Sequence, residues 1–201
     1  ILLIGDMPIY AALDSADVWV YHKFFQLDKD RVPKKVAGVP PDAFSADGQL
    51  WGNPLYDWDA LERDDFSWWR KRIACAAALY DAVRIDHFIG IVRYFAVPFG
   101  DTTAKNGEFH WGPGEKLIKA LKEEVGNTKI IAEDLGVMID EVRKLKADEN
   151  LPGMKVIEFA FDGGNDNDHL PFNYEENCVV YGGTHDNETL QGYFSSRDGW
   201  S

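Results

Sequence analysis

Cysteine is scarce in this sequence, and long apolar runs are absent. The two cysteines among 201 residues, Cys75 and Cys178, lie in apolar contexts without metal-ligand spacing. They predict reduced, buried thiols in a cytoplasmic protein and argue against a disulfide framework. No apolar segment reaches the ~18 residues of a membrane span, and no charged leader followed by an apolar stretch opens the chain.

Positive charge is also scarce. The chain carries 21 Lys and Arg residues against 34 Asp and Glu residues, a formal net charge of −13. Such a surface repels phosphate backbones and anionic lipid headgroups, so we expect neither a nucleic-acid nor a membrane partner. A neutral polyol would meet no such repulsion. The seven Trp, eight Tyr and twelve Phe residues predict an aromatic core, with a few rings left to stack on sugar faces.

An initiator Met is missing as well. The run Ile1-Leu2-Leu3-Ile4 has the character of a strand already under way, so we expect the sequence to be a piece of a longer protein. Its length suffices for one sizeable core, which predicts one domain over residues 1–201.

Five short apolar runs indicate strands. Each is uniformly apolar and is followed by a break, which is typical of strands buried on both faces of a parallel sheet. Helical patterns lie between the runs, and this alternation indicates βα units. The predicted strands are residues 1–4, 82–85, 129–132, 154–161 and 178–181. The predicted helices are residues 66–80, 115–125, 139–146 and one that begins near Glu188.

Residues 8–63 interrupt this alternation. Five of the nine prolines fall here, with Gly and Asp at the bends. The segment is too long for a simple loop, so it predicts an insertion or lid subdomain that projects from the sheet after the first strand.

Acidic residues follow four of the five predicted strands. The strands run into Asp6, Asp86, Glu133-Asp134 and His185-Asp186. In a parallel barrel the C-terminal strand ends face the same way, so these groups would converge at one mouth. Asp is also a common loop former and helix cap, which is the alternative for any one of them. Four together, two beside His and one two residues after Arg84, favour a site.

Convergent carboxylates with aromatic residues and without a metal-ligand pattern suit the cleavage of glycosidic bonds. One carboxylate attacks the anomeric carbon, while a protonated one gives its proton to the leaving oxygen and later activates the acceptor. Clustered like charges in a partly dry pocket disfavour ionisation of all of them at once, which helps to keep one acid protonated.

The segments around these residues are VRIDHF at Asp86, IIAEDLG at Glu133 and GGTHDNET at Asp186. With IGDMPIY, DSADVW, VAGVPPDAFSADGQLWGNPLYDW, GPG and LPGMKVIEFAF in the same order, they resemble the 4-α-glucanotransferases. That family is also called amylomaltase or disproportionating enzyme, and it is related to the α-amylases. The resemblance covers essentially the whole chain.

This resemblance implies a (β/α)8 TIM barrel, of which the chain would hold about five of the eight strands. The implied reaction moves α-1,4-glucan segments of maltooligosaccharides to the 4-hydroxyl of an acceptor through a covalent glycosyl-enzyme intermediate. It would need no cofactor and no metal. The remainder of the barrel would be the protein partner of this chain, and the chain by itself would be inactive.

The resemblance also implies roles for individual residues. The catalytic residues would be Asp86 as nucleophile, Glu133 as general acid/base and Asp186 as the carboxylate that grips sugar hydroxyls and favours ring distortion. Arg84 would keep the nucleophile ionised, and Asp6 and His185 would contact the donor sugar. The residues on the loop that covers the acceptor side would be Trp51 and, more weakly, Asp42.

Several points stay open. An α-glucan hydrolase shares the covalent step but uses water as the acceptor, and a glucan-binding barrel without catalysis is a further alternative. Ile89 departs from the family, because many members have Arg after the Phe of RIDHF. His87 is either a substrate contact or a hydrogen-bonded structural residue. The run DGGNDND at residues 162–168 lacks the Gly and Glu positions of an EF-hand, so it predicts a solvated loop.

Overall fold

The computed structural model describes residues 1–42, 45–161 and 163–196, which form an α/β fold. The strands are β1 (Ile4–Met7), β2 (Lys35–Val39), β3 (Gln49–Pro54), β4 (Ala82–Ile85), β5 (Arg93–Pro98), β6 (Glu108–Trp111), β7 (Lys129–Ala132), β8 (Gly153–Val156) and β9 (Cys178–Tyr181). The α-helices are α1 (Ala16–Val20), α2 (Trp58–Arg63), α3 (Ser67–Ala77), α4 (Ile89–Val92), α5 (Glu115–Glu124), α6 (Asp140–Asp148) and α7 (Leu190–Ser196). Short 3-10 helices lie at His22–Phe24, Ile157–Phe161 and Pro171–Asn173.

Five parallel strands form the framework of the site. β1, β4 and β7 pair in this order, with Ile4 opposite Ala82 and Ala82 opposite Lys129. β8 pairs with β9, also in parallel. The amide of Ala132, at the end of β7, donates to the carbonyl of Pro152, just before β8, over 2.9 Å. The spatial order of the five strands therefore follows their order in the chain, as it does in successive βα units.

The bounds of three predicted strands, β4, β7 and β9, are confirmed. The other two predictions were wrong at their ends. The first strand is Ile4–Met7 because its ladder with β4 runs over these residues, so Asp6 lies within the strand and not after it. β8 ends at Val156, and the rest of the predicted run turns into the 3-10 helix Ile157–Phe161.

A second sheet is antiparallel, with the strand order β3-β2-β5-β6. β2 and β3 belong to the segment 8–63 that the sequence predicts as an insertion. β5 and β6 come from later in the chain, and the β2–β5 ladder pairs Lys35 with Pro98 and Gly38 with Phe95. The boundaries of the insertion remain a prediction, but its sheet takes half of its strands from residues beyond 63, which the sequence analysis did not identify.

The predicted helices form with small differences at their ends. α5 ends at Glu124, one residue early, and buries Leu117, Ile118 and Leu121 on one face. Gly126 follows with φ of 58°, the left-handed conformation that commonly ends a helix. α3 is shorter than predicted, α6 runs two residues further, and α7 begins at Leu190, close to the predicted start near Glu188. None of the described helices has the length and apolar character to cross a membrane.

Aromatic rings make up much of the core. Tyr56 is 1% exposed and packs against Phe25, Trp68 and Trp69, with ring centroids 5.1, 5.6 and 5.5 Å away. The prediction that both cysteines are buried was wrong. Cys75 is exposed because α3 buries only one side of its surface, and Cys178 is half-buried; both thiols are free.

Candidate active site

Arg84 joins two carboxylates at the centre of the parallel strands. Its Nε and Nη2 donate to the two carboxylate oxygens of Asp6, over 2.8 and 3.0 Å. Nη2 also donates to Oδ1 of Asp86 over 2.8 Å. Burial opposes the charge of Arg84, but the ion pairs with Asp6 and Asp86 raise its pKa. The guanidinium therefore stays charged and orients Asp86, which lies two residues further along the same face of the strand.

Glu133 is buried just after β7 and is held by two backbone amides. The amide of His87 donates to Oε2 over 2.6 Å, and the amide of Leu135 donates to Oε1 over 2.8 Å. His87 has a φ of 48°, a left-handed conformation that residues other than glycine rarely adopt. Its backbone is thus held in an unusual geometry at the point where it meets the carboxylate of Glu133.

Burial raises the pKa of Glu133 to about 7. The two amide hydrogen bonds favour the ionised form and oppose this rise, as does Arg84, while the charge of Asp86 adds to it. A carboxyl group with a pKa near neutrality exists in both protonation states under ordinary conditions. Glu133 can therefore act as a general acid and, after losing its proton, as a general base.

Asp86 and Glu133 continue two neighbouring strands. Ile85 pairs with Ala132 in the last rung of the β4–β7 ladder. Because the ladder is parallel and in register, the next residue of each strand, Asp86 and Glu133, lies beside the other. In agreement with this proximity, the charge of Asp86 contributes to the raised pKa of Glu133.

The pKa of Asp86 is raised, chiefly by burial. The charge of Arg84 opposes this rise, but burial outweighs it, and the role of Arg84 in keeping Asp86 ionised stays a prediction. Asp6 and Asp186 add repulsion that raises the pKa further, whereas His185 lowers it. Charged groups from β1 and from the loop after β9 therefore lie close enough to affect the pKa of Asp86. The C-terminal ends of these strands, which are distant in the sequence, converge at one place.

The loop after β9 presents His185 and Asp186. Nε2 of His185 lies 3.4 Å from Oδ2 of Asp186, and the two side chains are 69% and 71% exposed. The turn is shaped by Thr184, whose hydroxyl oxygen accepts from the Asp186 amide over 3.2 Å. Oδ1 of Asn187 in turn accepts from the Thr184 amide over 2.9 Å. The structure thus brings the three predicted catalytic carboxylates to one end of the parallel strands.

Two separate cavities hold the predicted substrate-binding residues. The first, of about 350 Å³, is lined by Asp6, Arg84 and His185, the residues predicted for the donor sugar or for the nucleophile. The second, of about 370 Å³, is lined by Asp42 and Trp51, the residues predicted for the acceptor side. We refer to these as the donor-side and acceptor-side cavities, after the roles that the sequence analysis predicts for their residues.

His87 connects the acceptor-side cavity to Glu133. Its ring meets the Trp51 ring edge-on, with centroids 4.7 Å apart, while its amide holds Glu133. Burial lowers the pKa of His87 to about 4, so the imidazole is neutral at neutral pH. The amide of His87 thus has a structural role, while its ring lines the acceptor-side cavity, so a substrate contact by the ring stays a prediction. Asp42 lies on the loop between β2 and β3, where its Oδ1 accepts from the amide of Ser45 over 2.7 Å.

Asp134 turns away from the site although it follows Glu133 directly. Its carboxylate pairs with the buried Lys146 and accepts from the Met154 amide over 2.7 Å, so it ties β7 to α6 and β8. Within the described residues, no group of three His, Cys, Asp or Glu side chains could hold a metal ion. Asp162 of the predicted solvated loop lies outside the described residues, and residues 163–168 form turns and bends.

Sequence reasoning missed two contributors to this region. Leu135 acts through its main-chain amide, so its side chain gives no signal. Arg93 lines the acceptor-side cavity from β5. Its signal was a single cation in the otherwise apolar run RYFAVP, but the position of that run beside the site depends on the pairing of β5 with β2.

Comparisons with known proteins agree with this geometry. The family model described as 4-alpha-glucanotransferase, glycoside hydrolase family 77, matches residues 1–199. The 4-alpha-glucanotransferase of Clostridium butyricum is 52% identical over 96% of this chain, which covers 40% of that protein. The chloroplastic/amyloplastic 4-alpha-glucanotransferase of Arabidopsis thaliana is 53% identical over 98% of this chain, which covers 34% of that protein.

Solved structures share the fold. The amylomaltase of Streptococcus agalactiae in complex with acarbose superimposes with a TM-score of 0.92 at 45% identity, over 98% of this chain and 40% of that one. The amylomaltase of Corynebacterium glutamicum gives a TM-score of 0.83 at 20% identity, over 96% of this chain and 27% of that one, which shows the fold alone. The chain spans about 40% or less of the length of these relatives. It belongs to the 4-alpha-glucanotransferase family, glycoside hydrolase family 77.

Proposed function

We propose that this chain supplies the catalytic centre of a retaining 4-α-glucanotransferase that acts on α-1,4-glucans such as maltooligosaccharides. One observation carries the proposal. Glu133 has a pKa of about 7 and lies beside Asp86, which is oriented by a charged Arg84. A retaining glycosidic mechanism needs this pairing of a protonated acid with a carboxylate nucleophile. The relative from Streptococcus agalactiae was solved in complex with acarbose, which supports a carbohydrate ligand for this chain.

The reaction would proceed in two displacement steps. In the first, a carboxylate oxygen of Asp86 forms a bond to the anomeric carbon of the donor. The bond from that carbon to the leaving 4-oxygen breaks as Glu133 gives its proton to the oxygen. In the second step, ionised Glu133 takes the proton from the 4-hydroxyl of the acceptor. The acceptor oxygen then displaces Asp86, so the linkage is restored and Glu133 is protonated again.

The remaining predicted residues would bind sugar. Asp186 would accept hydrogen bonds from hydroxyls of the donor ring and favour its distortion, and Asp6 and His185 would complete the donor-side cavity. Trp51 would offer its face to the acceptor, with Asp42 as a weaker contact. This division is supported by the two cavities, which hold the donor and acceptor residues separately.

The proposed framework is part of a (β/α)8 barrel in which β1, β4, β7, β8 and β9 are consecutive strands. Its support is the parallel order of these strands and the similarity to the amylomaltase from Streptococcus agalactiae. Segment 8–63 would be its insertion. A closed barrel needs eight strands, so the rest of the wall would come from the remainder of a protein of the relatives' length. A cofactor is not required by this mechanism, and the cytoplasmic location stays a prediction.

Incubation of the full-length protein that contains this chain with maltotriose tests the proposal. Transfer produces a ladder of longer glucans, whereas hydrolysis produces only glucose and maltose. Asp86→Asn should abolish the ladder while maltotriose binding persists, because the amide keeps the shape and lacks the nucleophile. Asp30→Asn, which removes an exposed carboxylate from the loop before β2, is the matched control. Near-native transfer by Asp86→Asn would show that the nucleophile is misassigned, and products limited to glucose and maltose would favour the hydrolase.

A further inference from the structure

Arg93 has no polar partner for part of its side chain. Its Nε is buried and, within residues 1–42, 45–161 and 163–196, makes no hydrogen bond. Its guanidinium also forms no ion pair with any described residue and instead lies over the ring of Phe109, 4.1 Å from the centroid. A buried donor without a partner is unfavourable and uncommon in folded proteins. Nε itself is covered by protein, so a ligand in the cavity would meet the terminal nitrogens of the guanidinium, which are not among these buried, unpaired atoms.

Arg93 lies in the wall of a cavity that is large enough for a small ligand. Arg93 lines the acceptor-side cavity together with Trp51, His87 and Phe109, and the volume of about 370 Å³ is within the range of small-ligand sites, about 300–1,000 Å³. Of the described residues that line it, Arg93 is the one cation at neutral pH, because His87 is neutral. The cavity adjoins Glu133 through His87 and Leu135, because both residues line the cavity and their amides hold the carboxylate.

The lining favours a neutral sugar. Trp51 and Phe109 offer apolar ring surfaces, and the guanidinium is a planar fork of N–H donors whose spacing suits two neighbouring oxygens. The carboxylate of Asp42 in the same cavity and the net charge of −13 disfavour an anionic ligand. Two vicinal hydroxyls of a glucosyl ring meet these requirements, since they accept hydrogen bonds and carry no charge.

Arg93 is the first residue of β5, and the pairing of this strand with β2 brings it to the wall of the acceptor-side cavity. We propose that Arg93 is an acceptor-binding residue that donates hydrogen bonds to vicinal hydroxyls of the glucosyl unit next to Glu133. This inference rests on the proposed transferase function, because that function makes this the acceptor side.

Kinetics of Arg93→Met in the full-length protein test the inference. Methionine keeps much of the apolar stem and removes the donors. With saturating maltotriosyl fluoride as donor and maltose as the varied acceptor, the acceptor KM should rise about tenfold or more, with a much smaller change in kcat. Arg93→Lys keeps the charge without the fork and should give an intermediate KM. Arg63→Met removes the same charge from an exposed position of α2 and is the matched control.

The outcomes separate the inference from the proposed function. An acceptor KM in Arg93→Met equal to that of Arg63→Met would overturn the inference while leaving the transferase intact. Loss of thermal stability with an unchanged KM for the folded fraction would also overturn it, since Arg93 would then be structural. If the parental protein transfers nothing, the proposed function fails. Calorimetric titration with maltose then still decides the inference, which requires weaker binding by Arg93→Met and Arg93→Lys than by the parent and Arg63→Met.

Discussion

Replacement of Glu133 by glutamine should change the pH dependence of stability in a defined direction. The pKa of Glu133 is raised from its ordinary value of 4.5 to about 7, chiefly by burial. Between these pH values the folded protein binds more protons than the unfolded chain, so the free energy of unfolding falls as the pH rises. The interval of about 2.5 pH units, at about 1.4 kcal/mol each, corresponds to roughly 3 kcal/mol.

Glu133→Gln removes this titration, so the free energy of unfolding of the variant no longer falls through this pH interval. The free energy of unfolding of the variant, relative to wild type, should increase by up to about 3 kcal/mol from pH 4 to pH 8 and level off above that. A constant penalty acts in the other direction. The amides of His87 and Leu135 donate to different oxygens of Glu133, so a glutamine leaves one of them facing an NH₂ group. That mismatch costs about 1–3 kcal/mol at every pH and does not affect the slope.

The assay is urea denaturation of the full-length protein and the variant at half-unit steps from pH 4 to pH 9. Glu141→Gln, at an exposed position of α6, controls for the loss of one negative charge. Stability curves of Glu133→Gln and wild type that run parallel over the whole range would refute the reasoning. An increase confined to pH values below 5 would do so as well, since it would mean that burial does not hold the proton on Glu133 at neutral pH.

Further predictions concern the geometry and the extent of the site. A crystal structure of the full-length protein should place the carboxyl groups of Asp86 and Glu133 ~5–5.5 Å apart, and a separation of ~6.5–9.5 Å would indicate an inverting mechanism. His87→Gly should retain the left-handed backbone that holds Glu133, whereas His87→Val should strain it by at least about 1–2 kcal/mol. Loss of that amide contact in His87→Val should raise the pKa of Glu133 and move the alkaline limb of the kcat profile to higher pH, which pH-dependent transfer assays measure. A polypeptide of these 201 residues alone should not elongate maltotriose, because catalysis needs the carboxylates held by a closed barrel wall; glucan elongation by such a monomer would contradict this.

Local sequence signals determined most of the parallel framework and the identity of the reactive groups. β4, β7 and β9 are short, largely apolar runs followed by polar residues, and the sequence predicts their ends. β4 and β7 are largely buried, as expected for a parallel sheet, whereas β9 is only partly buried in this structure. The amphipathic pattern of α5 likewise predicts which face of the helix is buried. Asp86 and Glu133 follow such strands directly, and that position alone predicts that they meet at one end of the sheet.

Tertiary pairing decided the rest. β5 becomes a strand by pairing with β2, which is far away in the chain, and β6 pairs with β5. No local pattern therefore shows that Arg93 lines a cavity with Trp51. The left-handed backbone of His87 and the amide of Leu135 matter only because the end of β7 brings Glu133 to them. The pKa of Glu133 has the same origin. A glutamate has an ordinary pKa in an unfolded chain. Here the pKa rises to about 7 because the loss of hydration on burial outweighs the stabilisation of the ionised form by two amides and an arginine.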